Sequence, residues 1–318
     1  MFKKFLLLVL CLLFIVPSSF AADIINFVPA DATLVIRANL NQLTAIPEIK
    51  AQIDSLMSNE EYVNQIEEAG FDPLRDISSL VVCLPLDKIQ NSSKAQTDVA
   101  IIAEGNFDSQ KIIDSLIASI NNSDEVDKKV TVAIENGYNT IFLRNPNKVD
   151  IKMMFFDANT MAIGTIEGVS KVKEVILGQQ KNIKTNPQFA ASIAKVNTNA
   201  AFAAVAILPE DARQFIASND NTKALSNIEI LGLDFTKAND VTLSIIGDFK
   251  EKTDMKPVED CLKKFGESLG KDSSLAIMKD IQKNYKVSVE GLSAKVSTTF
   301  TQDSINKLIE NESKPENK

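Results

Sequence analysis

Asp98-Val99-Ala100-Ile101-Ile102-Ala103-Glu104-Gly105-Asn106-Phe107 is echoed further along the chain by Asp240-Val241-Thr242-Leu243-Ser244-Ile245-Ile246-Gly247-Asp248-Phe249. Asp, Val, Gly and Phe recur at the same spacing, with Asn106 answered by Asp248. Each copy reads as a strand rich in β-branched residues, closed by Gly-Asn or Gly-Asp and followed by Phe and a helix. The match is short, so the reading of a repeat depends on the elements around it.

Upstream of the first copy, Thr33 to Leu40 alternates like a strand, and Ile46, Ile49, Ile53 and Leu56 form a helical stripe behind Pro47. Ser58 with Glu61 gives a capping-box signature for a second helix that stops at Gly70, and Leu80 to Leu86 is the next strand. Downstream, Asp108 is placed to cap a helix carrying Ile112, Ile113, Leu116 and Ile117. Asn136-Gly137 then signals a tight hairpin, and Ile151–Phe156 with Met161–Thr165 makes another. A helix through Val169, Val172 and Val175 closes this half at Gly178.

The second half begins after a polar, lysine-rich stretch. Ala201 to Leu208 stands where Thr33 to Leu40 stood, and Gly232-Leu233-Asp234 echoes the turn Gly70-Phe71-Asp72. A helix through Val258, Cys261, Leu262 and Phe265 and a hairpin about Gly291 follow the second copy. Both halves therefore run strand, helix, Gly-apolar-Asp turn, strand, helix, hairpin, helix, the second being shorter by a strand or loop before Asp240. The expected fold class is α+β: two related modules of largely antiparallel sheet packed with helices. The expected boundaries are a signal peptide at 1–21, modules at 22–178 and 187–311, a linker at 179–186 and a polar tail at 312–318.

Lys3 and Lys4, the twelve apolar residues from Phe5 to Val16, and the small residues Ser19 and Ala21 compose an export leader cut after Ala21. Twelve residues of helix reach about 18 Å, short of the ~30 Å hydrocarbon core of a bilayer. The expectation is an exported, soluble bacterial protein of the periplasm or exterior, with no integral membrane segment once the leader is cut. Losing Lys3 and Lys4 lowers 34 basic residues to 32 against 42 acidic ones. That acidic balance without a basic cluster argues against nucleic acid as a partner.

The chain has no histidine. Imidazole-based triads, His-assisted thiols and His-ligated metal sites are thereby excluded. Ser with Lys as base is the remaining nucleophile route, and two helices carry the S-x-x-K spacing: Ser170 with Lys173, and Ser304 with Lys307. The Lys-Thr-Gly companion of penicillin-recognising enzymes is missing, Lys184-Thr185-Asn186 being the nearest approach, and serine and lysine in a first helical turn are ordinary capping and solvated residues. Asp72 with Asp76, and Asp234 with Asp240, are the candidate carboxylate pairs or calcium ligands, though turn aspartates commonly bond their own backbone. Export permits a bridge between Cys83 and Cys261, yet both sit in apolar patterns as core cysteines do. No cofactor is implied. The run Met153-Met154-Phe155-Phe156 raises an apolar small-molecule ligand, and a strand buried on both faces explains the same run.

Val28-Pro29-Ala30-Asp31-Ala32-Thr33, the Gly70-Phe71-Asp72 turn and the strand–Gly–x–Phe unit together resemble a group of exported bacterial proteins known only as a domain of unknown function. The resemblance implies duplicated α+β modules and brings no active residues with it. The functional expectation is a non-enzymatic binding or scaffold protein of the cell envelope, whose partner is a protein or a small apolar ligand. A periplasmic carrier of such a ligand stands next, and a Ser–Lys or carboxylate hydrolase last.

Overall fold

The computed structural model describes residues 23–86, 98–121, 129–144, 149–197, 200–237, 240–269, 276–301 and 303–304. The chain divides into two compact units, Met1–Pro187 and Gln188–Lys318. Each is α+β, with an antiparallel sheet and helices.

In the first unit the strands are β1 (Leu34–Asn39), β2 (Ile77–Leu84), β3 (Ala100–Gly105), β4 (Lys129–Glu135), β5 (Tyr138–Arg144), β6 (Ile151–Phe155) and β7 (Thr160–Thr165). Their order is β1-β2-β3-β7-β6-β5-β4. Helices α1 (Leu40–Thr44), α2 (Pro47–Met57), α3 (Glu60–Ala69) and α4 (Pro73–Asp76) lie between β1 and β2. Helix α5 (Ser109–Asn121) follows β3, and α6 (Ile166–Ile176) follows β7. Val81, Ile102, Ala162 and Met154 stand opposite one another across β2, β3, β7 and β6, and none is exposed to solvent. Removing such a side chain from water contributes about 1.5–3 kcal/mol, so this row anchors the unit.

Asp108 caps α5 by accepting from the Lys111 amide at 3.0 Å. Asn136 and Gly137 take φ of 52° and 88°, the paired positive values of a two-residue hairpin turn. The cap of α3 falls one residue later than the capping-box signature. Asn59 Oδ1 accepts from the Tyr62 amide, whereas the Ser58 hydroxyl donates to the Ser55 carbonyl at 2.7 Å and finishes α2. Residues 179–186, polar as they are, pack on the entry segment. Ile183 is fully buried and its amide donates to the Val28 carbonyl at 2.8 Å.

The second unit contains α7 (Pro187–Ile193), β8 (Phe202–Ile207), α8 (Glu210–Ser218), β9 (Ile228–Lys237), β10 (Val241–Phe249), α9 (Met255–Ser268), α10 (Ala276–Asn284), β11 (Lys286–Glu290) and β12 (Ser293–Phe300). Its strand order is β8-β9-β10-β12-β11. Ile228, Phe249, Val258 and Ala294 form a buried cluster joined by Leu208, Leu225 and Leu262.

Here two sequence expectations are corrected. Gly232-Leu233-Asp234 is no turn but the middle of β9. Gly232 sits opposite Ile246, and a β-carbon on it would lie 2.8 Å from the Val196 side chain, which explains a glycine in mid-strand. Phe265 is 58% exposed; the face of α9 turned inward there presents Gly266, which lies against the Tyr285 ring.

Candidate functional site

Four bends meet at one end of the first sheet. Where β3 stops at Gly105, the Asn106 amide donates to the Asp76 carbonyl at 2.7 Å, and the Phe107 amide to the Ala158 carbonyl at 2.7 Å. Asn159 returns a side-chain hydrogen bond to the Gly105 carbonyl at 2.8 Å. Phe107 is buried between Phe71, 5.9 Å away ring to ring, and Phe155, 6.5 Å away. The Phe156 ring packs edge-on against Tyr138 at 5.1 Å. Above these rings opens a cleft of about 700 Å³ whose rim includes Arg75, Asp108, Lys111, Asn139 and Asp157.

The acidic groups of the rim are occupied by backbone. Asp76 accepts from the Asp72 amide at 2.9 Å, Asp108 from Lys111, and Asp157 from the Asn159 amide at 2.7 Å. Arg75 spends only its Nε, on Asp76 at 3.2 Å, and its side chain is 77% exposed. The Lys111 ammonium has no partner among the described residues. An aromatic base beneath two cations with spare donors suits a ligand with an apolar body and an acceptor-rich head.

Ser170 and Lys173 are not brought together as a pair. The Ser170 hydroxyl donates to the Ile166 carbonyl at 2.7 Å, while Lys173 reaches Glu135 at 3.7 Å. The lysine that does approach Ser170, at 3.3 Å, is Lys152 on β6. Its side chain is only 3% exposed, bonded to Glu135 at 2.6 Å and set 5.3 Å from the centre of the Phe142 ring. Burial would raise the Glu135 carboxyl, but the Lys152 hydrogen bond and the charges of Lys152 and Lys173 outweigh it and hold it below the ordinary value. Lys152 donates to the Ser170 hydroxyl and does not accept its proton, so the contact is not that of a nucleophile with its base. The signal for Lys152 was a single charge inside an otherwise apolar strand, Ile151-Lys152-Met153-Met154-Phe155.

Ser304 is buried in a capping network in which Asp280 accepts from the Thr301 hydroxyl at 2.7 Å; Lys307 lies outside the described residues. Asp72 Oδ1 accepts from the Leu74 amide at 2.9 Å, so Asp72 and Asp76 serve the turn that starts α4. Asp234, opposite Ser244 on β10, is buried on β9, whereas Asp240 precedes β10 and is exposed. Four residues of strand, roughly 14 Å, separate them, and they form no pair. No cluster of three candidate metal ligands occurs among the described residues.

Cys83 and Cys261 are both free, one in each unit. Burial, and after it the charge of Asp31, push the Cys83 thiol up to about 12. Cys261 faces the Asn221 carbonyl at 3.2 Å.

Sequence reading missed one polar cluster in the second unit. Asp248 accepts from the hydroxyls of Ser192 at 2.6 Å and Ser293 at 2.5 Å and from Lys195 at 2.6 Å. Burial would raise this carboxyl, but the hydrogen bonds of Lys195, Ser192 and Ser293 prevail and hold it down. Both serine protons point at a weakly basic carboxylate, which is a clasp between elements and not an activated nucleophile.

Comparison with protein families, curated proteins and solved structures finds no match to the chain.

Proposed function

We propose that this chain is an exported, non-enzymatic binding protein of the bacterial cell envelope, and that its two units descend from one duplicated module. The observation that carries the binding reading is the cleft over Phe71, Phe107 and Phe156, whose carboxylates are occupied by backbone while Arg75 and Lys111 keep donors. Export rests on the N-terminal sequence alone. The lack of an activated nucleophile at Ser170, Ser304 and Cys83 favours binding over turnover.

Duplication is supported by topology within each unit. The order β1-β2-β3-β7-β6 in the first runs parallel to β8-β9-β10-β12-β11 in the second, with the repeated motif on the third strand of each. On that reading the piece without a counterpart in the second unit is the hairpin β4–β5.

The experiment is a thermal-shift screen of the purified protein against short peptides, saccharides and small carboxylates. A compound that raises the melting temperature of the wild type and not of an Ala158→Trp variant, which fills the cleft, supports the assignment. Turnover on an esterase, amidase and phosphatase panel that disappears in Ser170→Ala removes it.

One observation favours a carrier of apolar molecules as second reading. Ile36, Val82, Ile101, Ile163 and Met153 stand in register across five strands, and every one is half-buried. Native mass spectrometry separates the readings, because a carrier retains lipid-sized adducts through purification.

A further inference from the structure

Strand β4 is the outermost strand of the first unit, and among the described residues it pairs only with β5. The two-residue turn at Asn136-Gly137 makes Glu135 and Tyr138 a hydrogen-bonded pair. Pairs alternate from there, so Lys129, Thr131 and Ala133 also spend their amides and carbonyls on β5, and Val130, Val132 and Ile134 turn theirs outward. The outward residues are also apolar and accessible, Ile134 being 74% exposed and Val132 41%. Among the described residues the edge lacks two of the usual protections, a bulge and an interior charge or proline. Seven consecutive pairs run from Lys129 to Glu135 without a bulge, and no proline or charge stands between those two residues.

We propose that two copies of the protein pair through this edge, β4 against β4, antiparallel about a two-fold axis at Val132. The sequence Lys-Val-Thr-Val-Ala-Ile-Glu is complementary to its own reverse. With Val132 on the axis, Val130 meets Ile134 of the other copy, Thr131 meets Ala133, and Lys129 meets Glu135. The residues that pair as hydrogen-bonding partners in this register are the three whose amides and carbonyls face outward, giving about six new backbone hydrogen bonds. A slip of two residues loses one such pair; a slip of one turns amides toward amides that β5 already uses. Apolar residue then meets apolar residue at every outward position, Val130 and Ile134 flanking Val132, which favours a second copy of this chain over a strand with charges at those places. A single strand pair buries less than the ~1,200 Å² of standard interfaces, so the dimer is expected to be reversible and to form with rising concentration.

The test is light scattering on the eluting protein from 1 to 200 μM, alongside Val132→Lys and Ile134→Lys. The expected result is a dimer that forms with concentration in the wild type, and monomers in both variants with unchanged circular dichroism and melting. In a Cys261→Ser background, Val132→Cys cross-links to itself under mild oxidation, since the axis brings the two Cα atoms to about 5.5 Å, whereas Thr131→Cys does not. A wild type that stays monomeric at 200 μM overturns the proposal, even where it captures a foreign strand. So does a dimer that survives both lysine substitutions, or equal cross-linking at 131 and 132. If a lysine variant melts early, the cysteine pair alone decides.

Discussion

The carbonyl oxygen of Asp76 lies 1.9 Å from where a β-carbon on Gly105 would sit, and the same oxygen accepts the Asn106 amide at 2.7 Å. The motif glycine of β3 is thus a place where backbone meets backbone. Its counterpart Gly247 differs: a β-carbon there would first meet the Phe249 ring at 3.2 Å, a side chain able to yield. Gly105→Ala is expected to lower stability by about 2–4 kcal/mol, and Gly247→Ala by about 1 kcal/mol or less. Urea denaturation of the two variants checks the contrast; equal losses would remove the distinction.

Lys152 and Glu135 supply the second prediction. Glu135→Gln leaves the buried Lys152 ammonium without its carboxylate and is expected to cost about 2–3 kcal/mol, somewhat under a fully buried pair because Glu135 keeps 29% exposure. Lys152→Met removes the buried charge and leaves Glu135 to Lys173, and is expected to be within about 1 kcal/mol of the wild type. Because the carboxyl is held below its ordinary 4.5, the stabilisation is full above that pH and fades as the pH falls below it. Melting curves from pH 7 to 2 should show the wild type and Glu135→Gln converging in acid.

Asp248 leads to a third. Its carboxyl also lies below the ordinary 3.8, so its clasp on Ser192, Lys195 and Ser293 persists above that value and is lost as the pH drops under it. Asp248→Asn is expected to cost about 1.5–3 kcal/mol at pH 7, the scale of hydrogen bonds to a charged group. A difference from the wild type that stays constant down to pH 2 would show that the charge is irrelevant.

Local chemistry was readable from the chain where it was self-contained. Asn136-Gly137 and Asp108 each specify their geometry through nearby backbone, and the structure has them where the residues imply. What stayed hidden depends on long-range neighbours. Gly232 and Asp234 look like turn residues until Val196 fills the space over the glycine and the Asn197 amide, at 3.4 Å, reaches the aspartate. Lys152 finds Ser170 across 18 positions, and the cleft draws on segments from Gly70 to Ala158, so no local pattern announces either. Helix α10 was missed because Ile281 and Met278 give a short stripe beside the strong hairpin signal at Gly291.

The two cysteines allow a last prediction that tests burial and pairing together. Cys83 is 3% exposed, and its thiol, pushed up to about 12, is almost wholly protonated at pH 8. Cys261 is raised by burial too, but it is partly accessible on α9. Protein prepared without residues 1–21, which carry Cys11, and without reductant should therefore show one thiol reacting slowly with an aromatic disulfide reagent, and a second only after unfolding in guanidinium. Cys261→Ser should abolish the native reaction, and Cys83→Ala should leave it unchanged. Two protected thiols that appear only on reduction would mean that the residues are bridged, contrary to their free state in the two units.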